Sequence, residues 1–179
     1  MPTRALYAAE PIAPHTVPWN YEHAATETFT RPATLADYDA VNQLHDRSSL
    51  ASRFARYQSA RRNLRLVEWR HLTNPDRATS WVSHPRHSPQ DIVATMNLVR
   101  TTDPNTAELG LLIEDDWQGR GLGTALAAQA RAAARNLGCS SLIVMTGADN
   151  VRMLKIMRGL GVIPARTCGT TLDFSLPVA

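Results

Sequence analysis

Three glycines at alternate positions, Gly119, Gly121 and Gly123, separate an apolar run from an alanine-rich one, with Gln118 before them and Thr124 after. Without Cβ atoms the chain bends tightly there and lets a ligand approach closely. The first turn of the helix that follows offers unpaired N–H groups at its positive dipole end. Such an arrangement suits a phosphate or pyrophosphate. A Walker loop needs Gly-x4-Gly-Lys-Ser/Thr, and the single lysine, Lys155, lies far downstream. A dinucleotide fingerprint needs a third glycine where Leu126 stands, and an acid that does not appear for over twenty positions. The spacing that remains is Gln118-x-x-Gly121-x-Gly123.

Glu108 is the next residue with chemistry to offer. It opens the strand leading to the glycines, ten residues before Gln118, so at about 3.3 Å per residue it lies well away from a bound phosphate. A partly buried Glu there suits base catalysis. On position alone, a solvated Glu in the turn after Asn105 reads equally well. His84 and His87 fall in a proline-punctuated stretch without further ligands nearby, so no metal site is expected. Cys139 and Cys168 are too few for a disulfide scaffold and read as free thiols.

Eighteen arginines stand against one lysine, and seven (Arg47, Arg53, Arg56, Arg61, Arg62, Arg65 and Arg70) share a stretch whose only acids are Asp46 and Glu68. A solvated helical face explains this, as does a surface that attracts an acidic partner. Nucleic acid is not expected, because no binding motif or aromatic interleaving accompanies the arginines.

The elements that must position these residues form one α/β (α+β) domain. No apolar run approaches the roughly 18 residues of a membrane span. The N-terminus lacks the apolar core of a signal peptide, so a cytoplasmic location is expected. Residues 1–29 read as an irregular, proline-rich arm whose Tyr7, Trp19 and Tyr21 pack on the domain or on a second subunit, as in a homodimer. The domain is 30–179. A strand is expected near Glu27–Arg31. Thr34 and Asp37 then form a capping box for a helix with Leu35, Tyr38, Val41 and Leu44 on one face. Further helices are expected at Ser49–Tyr57, burying Leu50, Phe54 and Tyr57, and at Leu64–Leu72, burying Leu64, Val67 and Trp69. Strands follow at Ser80–Ser83, Ile92–Arg100 and Thr106–Glu114, the last two forming a hairpin in which Asn97 faces a cleft. The helix Leu122–Leu137, stopped at Gly138, crosses over to a parallel strand Ser141–Thr146. Asp149 or Asn150 caps a helix carrying Met153, Ile156, Met157 and Leu160. A hairpin around Gly169 ends the chain.

The Gln118-x-x-Gly121-x-Gly123 loop, with its preceding strand and following helix, resembles the acetyl-CoA pyrophosphate loop of the GNAT acyltransferases. The resemblance implies the GNAT fold, a mixed central sheet of about six to seven strands flanked by helices, with acetyl-CoA as co-substrate and no metal. Three segments look more narrowly like the catalytic domain of bacterial protein lysine acetyltransferases that act on acyl-CoA synthetases. They are Arg31–Thr34 leading to His45, Arg47, Ser48, Ser52, Arg53 and Tyr57; Ala107-Glu108 with Asp115–Gly123; and Asn150-x-x-Met153 up to Arg158–Gly161. By that resemblance Glu108 is the general base. The amides of Gln118, Gly119, Arg120, Gly121, Leu122, Gly123 and Thr124 bind pyrophosphate, Leu111, Leu112 and Ile113 bind pantetheine and the thioester carbonyl, and Asn150 and Met153 lie beside the pantetheine arm.

Two features depart from the pattern. Many GNAT enzymes carry a tyrosine seven residues after the asparagine, where this chain has Met157; a thiol with a pKa near 8.5 leaves as its anion without that acid. No regulatory domain of the kind fused to such lysine acetyltransferases is expected. Three functions fit: an N-acetyltransferase acting on a protein lysine, one acting on a small amine such as an antibiotic or polyamine, and a non-catalytic CoA-binding module. Glu108 argues against the third, and the arginine-rich stretch argues against a polycation.

Overall fold

Runs rich in β-branched and small residues supply seven strands among the described residues of the computed structural model, which are 27–162, 164–168 and 171–178. The strands are β1 (Thr28–Pro32), β2 (Ala78–Pro85), β3 (Ala94–Arg100), β4 (Thr106–Ile113), β5 (Ser141–Gly147), β6 (Pro164–Cys168) and β7 (Thr171–Pro177). They form one sheet in the order β1-β2-β3-β4-β5-β7-β6. Every neighbouring pair is antiparallel except β4 and β5. Five α-helices are described: α1 (Tyr38–Arg47), α2 (Leu50–Tyr57), α3 (Leu66–Leu72), α4 (Leu122–Asn136) and α5 (Val151–Gly159). The α4 crossover makes the parallel pair possible, as a short turn could not. It ends at Gly138, whose φ of +79° suits glycine. None of these helices is long and apolar enough to cross a membrane.

The twofold alternation of β4 assigns its side chains to two layers. Ala107, Leu109 and Ile113 join Leu122, Leu126, Ala127, Ala130 and Met157 in a core under α4 and α5. Leu112 joins Val41, Leu44, Leu64 and Trp69 in a second core under α1 and α3. Glu108 and Gly110 share the parity of Leu112, and therefore face the α1–α3 layer.

The expected elements are present with shifted ends, and several differences have plain causes. The Thr34/Asp37 capping box forms, but it opens a 3-10 turn, Leu35–Asp37, that leaves Leu35 46% exposed. Arg31 clamps Asp37 through two hydrogen bonds, 2.6 and 2.9 Å. α2 starts after its N-cap Ser49 as expected, yet Leu50 and Phe54 are 58% and 47% exposed rather than buried; their face looks into a cavity. Val67 is also exposed, because the short α3 buries only Trp69. Strand β2 is twice the expected length and takes in His84. That residue is buried and stacked on Phe29 with ring centroids 5.0 Å apart, not in a loop. Pro85 sits at the strand's end, where its missing N–H is tolerated. The N-terminal arm lies outside the described residues except for 27–29, of which Thr28 and Phe29 belong to β1.

Three donors converge on Glu68 at the start of α3: Arg65 N at 2.9 Å, Arg65 Nη2 at 3.1 Å and Arg61 Nη2 at 2.8 Å. Partial burial works to raise this carboxyl, and the hydrogen bonds from Arg65 and Arg61 outweigh it, holding the pKa down from 4.5 to about 2. A depressed carboxylate stabilises the fold in full above its unfolded pKa and loses that contribution as pH falls through the folded one. Between pH 4.5 and about 2, acid unfolding of Glu68→Gln should therefore be less pH-dependent than that of the parent chain, as followed by circular dichroism.

Candidate functional site

The parallel pair is short. β4 and β5 are in register only at Thr106/Ser141, Ala107/Leu142 and Glu108/Ile143. Beyond Glu108, β4 continues along β3 to Ile113, while β5 continues along β7 to Gly147. The two strands thus part like a V, and backbone groups of β4 past Glu108 lack a neighbour on that side. A cavity of about 1730 Å³ begins in this opening. Leu111, Leu112 and Ile113 line one wall, Asp149, Asn150, Val151 and Ile156 another, and Leu50, Ser52, Phe54 and Gln58 of α2 a third.

The glycine loop closes the far end. Gly119 and Gly121 take left-handed conformations, φ +75° and +87°, which cost little only for glycine. Gly121 caps α4, so the first-turn amides of Leu122, Gly123 and Thr124 have no intrahelical acceptor. Gly123 is needed for packing: a Cβ there would come within 2.8 Å of Ile156 Cδ1 and 3.3 Å of Ile113 Cδ1. Asn150 is built in from both sides. Its Oδ1 accepts from Met153 N at 3.1 Å and its Nδ2 donates to Thr146 Oγ1 at 2.8 Å.

A network at the loop's entrance holds α2 across the opening. Asp115 accepts hydrogen bonds from Ser49 N (2.7 Å), Ser49 Oγ (2.8 Å) and Ser52 Oγ (2.7 Å). The Gln118 amide donates to Ser52 Oγ (2.9 Å) and to Ile113 O (2.7 Å). Arg53 donates to the carbonyls of His45 and Ser48, and Arg47 reaches Glu114 and Ile92 O. His45 must donate from Nδ1 to Val41 O (2.7 Å), since a carbonyl can only accept. Its Nε2 then accepts from Tyr57 Oη (2.6 Å). Burial pushes the His45 pKa down and that of Tyr57 up, so both are neutral.

Of the residues singled out from sequence, Leu111, Leu112, Ile113, Gln118, Gly119, Gly121, Gly123, Thr124 and Asn150 line the cavity. Four do not. Leu122 is 3% exposed and turned into the core. Met153 packs against the same core and offers its backbone to Asn150. Arg120 turns outward over Trp117 and toward Glu27. Glu108 stands at the apex of the V, beside the cavity rather than in its wall, with no hydrogen-bond or ion-pair partner among the described residues. Met157 is fully buried and faces away from the cavity. No group of three metal-binding side chains occurs among the described residues. Sequence reasoning overlooked Arg152, Lys155 and Arg158, which line the cavity from α5; their spacing of three residues after Asn150 was the available signal.

Residues 27–163 match the family model for the acetyltransferase (GNAT) domain. The chain belongs to that family and has its fold, a mixed sheet flanked by helices. Among solved structures, the GNAT domain of S. lividans PAT aligns with a TM-score of 0.75 at 21% identity, over 83% of this chain and 89% of that one. The yncA protein of Salmonella typhimurium, solved with its cofactor acetyl-CoA, aligns at 0.67 and 18%, over 86% and 95%. Spermidine N-acetyltransferase from Vibrio cholerae, solved with CoA and spermine, aligns at 0.66 and 11%, over 85% and 96%. Identities this low speak for the fold alone. No curated protein matches the chain.

Partial burial works to raise the Asp115 carboxyl, and the donors on Ser49 and Ser52 outweigh it, leaving the pKa below the ordinary 3.8. Its contribution is present above that pH and is lost as pH falls further. Replacing it with Ala removes three hydrogen bonds, two of them from the exposed Ser49, at about 0.5–1.5 kcal/mol. Asp115→Ala should lower the melting temperature at pH 7, read by calorimetry, because α2 loses one of its ties to the loop.

Proposed function

We propose that this chain is an acetyl-CoA-dependent N-acetyltransferase that modifies a lysine amine on a protein, with Glu108 as general base. The observation carrying this reading is the parting of β4 and β5 immediately past Glu108, where the cavity toward the glycine loop begins. In it, the amides around Gly121 and the first turn of α4 hold the coenzyme's pyrophosphate. Arg152, Lys155 and Arg158 supply positive charge for its phosphates. The unpaired edge of Leu111–Ile113 takes the pantetheine amides, as a sheet edge takes a strand. The GNAT family match supports acetyl-CoA as co-substrate. A lysine acceptor, such as one on an acyl-CoA synthetase, rests on the resemblance of the segments around Arg31–Thr34, Ala107–Gly123 and Asn150–Gly161 to bacterial protein lysine acetyltransferases.

The reaction needs a neutral amine, and an ammonium with a pKa near 10 is almost fully protonated at neutral pH. Glu108, directly or through a water, takes that proton. The amine nitrogen then attacks the thioester carbonyl, the C–S bond breaks, and the thiolate departs. With buried Met157 where other family members carry a tyrosine, the thiolate takes its proton from water, which its pKa near 8.5 permits.

Two observations weigh against the other readings. A polyamine held at Glu108 would lie near the Arg56 guanidinium, which rests on Gly110 of the same strand face with no acid among the described residues to neutralise it. A module that only bound CoA would have no use for an unpartnered carboxylate at the apex of the opening. Glu108→Gln should lower kcat about 10²- to 10⁴-fold while changing the dissociation constant for acetyl-CoA less than twofold. Stopped assays of thiol release and calorimetry on the same preparation check this; unchanged turnover would remove Glu108 from the mechanism.

A further inference from the structure

Most arginines of the basic stretch have found acids: Arg47 pairs with Glu114, Arg61 and Arg65 with Glu68, and Arg62 reaches Asp46. Arg53, Arg56 and Arg70 form no ion pair among the described residues; Arg53 is spent on the carbonyls of His45 and Ser48, whereas Arg56 makes one side-chain hydrogen bond and its buried Nε has none. Its place is nevertheless built. Leu72 O accepts from Ser80 Oγ (2.6 Å), Ser80 Oγ accepts from Asn97 Nδ2 (2.8 Å), and Asn97 Oδ1 accepts from Arg56 Nη2 (3.2 Å). The guanidinium also lies over the Tyr57 ring, 4.9 Å from its centroid. A three-link chain through the buried Ser80 and Asn97 thus aims a charge that nothing in the described structure neutralises.

Where it is aimed matters more. Asn97 is the register partner of Gly110, and a Cβ on Gly110 would come within 2.1 Å of Arg56 Nη2 and 2.2 Å of Cζ. The guanidinium therefore rests on Gly110, in space that any other residue would fill. Gly110 is two residues from Glu108 on the same face of β4 and next to Leu111, where the cavity wall begins. The guanidinium does not itself line the cavity, but it lies on the face of β4 that carries Glu108, at the residue before the cavity wall begins.

We infer that Arg56 selects the acceptor: it binds a carboxylate carried by the acceptor close to the reacting amine. The inference rests on the reading of Glu108 and acetyl-CoA above, and names the acceptor class for that same site. The guanidinium fork matches a carboxylate in two parallel hydrogen bonds, which would neutralise the charge. A second cationic group near the amine would instead face repulsion at low dielectric. Two sources supply this chemistry, an acidic residue beside a target lysine and the carboxylate of a free amino acid.

The test compares acetylation of capped lysine peptides with Glu, Gln or Arg next to the lysine, and of free glutamate with its α-amide. The chain should favour the carboxylate member of at least one set about ten- to a hundredfold in kcat/KM, and the set that responds identifies the source. Arg56→Gln should bring that ratio near one, and Arg56→Glu should turn the peptide preference toward the Arg-flanked lysine, which a merely structural role would not do. Gly110→Ala, whose Cβ needs only the flexible end of Arg56 to move, should reduce the preference with Arg56 intact. Melting curves establish that each variant is folded. Equal rates with and without the carboxylate would overturn the inference while leaving the acetyltransferase reading in place. So would an Arg56→Gln loss shared equally by all acceptors, since the guanidinium would then act on the thioester. If neither these acceptors nor other amines release thiol above the buffer rate, the acetyltransferase reading falls, and this inference with it.

Discussion

A sheet that opens in its middle has to solve a problem that a continuous sheet does not. Past Glu108 the amides and carbonyls of β4 lose their neighbour on β5, and unpaired backbone groups away from water are costly. The chain leaves this edge facing a cavity, which is tolerable only if something roofs it. Helix α2 is that roof. An eight-residue helix has little stability of its own, and two exposed apolar side chains, Leu50 and Phe54, leave it few core contacts to rely on. Polar ties therefore hold it: Asp115 and Gln118 at one end, and Arg53 at the corner with α1.

These ties make the glycine loop and the roof a single unit. Asp115 and Gln118 lie just before the glycines whose backbone is free to hold an anion, and both grip Ser52. The side chain of Gln118 is thereby committed to structure, so its place in the Gln-x-x-Gly-x-Gly pattern reflects bracing of the loop, while its main chain remains beside the cavity. The same holds for His45, Arg47, Ser48 and Tyr57. Of these residues, which suggested a subgroup of lysine acetyltransferases, His45, Ser48 and Tyr57 fasten α1 to α2, and Arg47 ties α1 to Glu114 and Ile92.

Much of the fold was legible because its signals are local. The capping box at Thr34 and Asp37, the glycine stop at Gly138 and the Asn150 cap each depend on a few adjacent residues. The glycine loop belonged to the same category. What could not be read was whatever depended on the distant partner. Leu50 and Phe54 have the spacing of a buried helical face, and periodicity cannot distinguish a face that meets a core from one that meets a cavity. The length of β2 was hidden by Pro85, since a proline's tolerance depends on whether its position needs an N–H. Arg56 looked like one arginine among seven, because its distinction lies in its seat on Gly110, whose lack of a side chain lets the guanidinium approach.

That last point bears on how Glu108 and the guanidinium coexist. The Arg56 guanidinium rests on the face of β4 that carries Glu108, and an ion pair between them would silence both in their proposed roles, the carboxylate as a base and the guanidinium as an anchor. They do not pair. Asn97 draws Arg56 toward β3 and Ser80, and the Tyr57 ring supports it from the side. Glu108 sits at the apex where β5 is still in register. Separation of opposite charges this close needs a scaffold on each side, and the buried Ser80–Asn97 link is the side that keeps the guanidinium from collapsing onto the carboxylate. A buried polar chain is tolerated only when its members are satisfied, as Ser80 and Asn97 are here. Its presence here is explained by the separation it enforces.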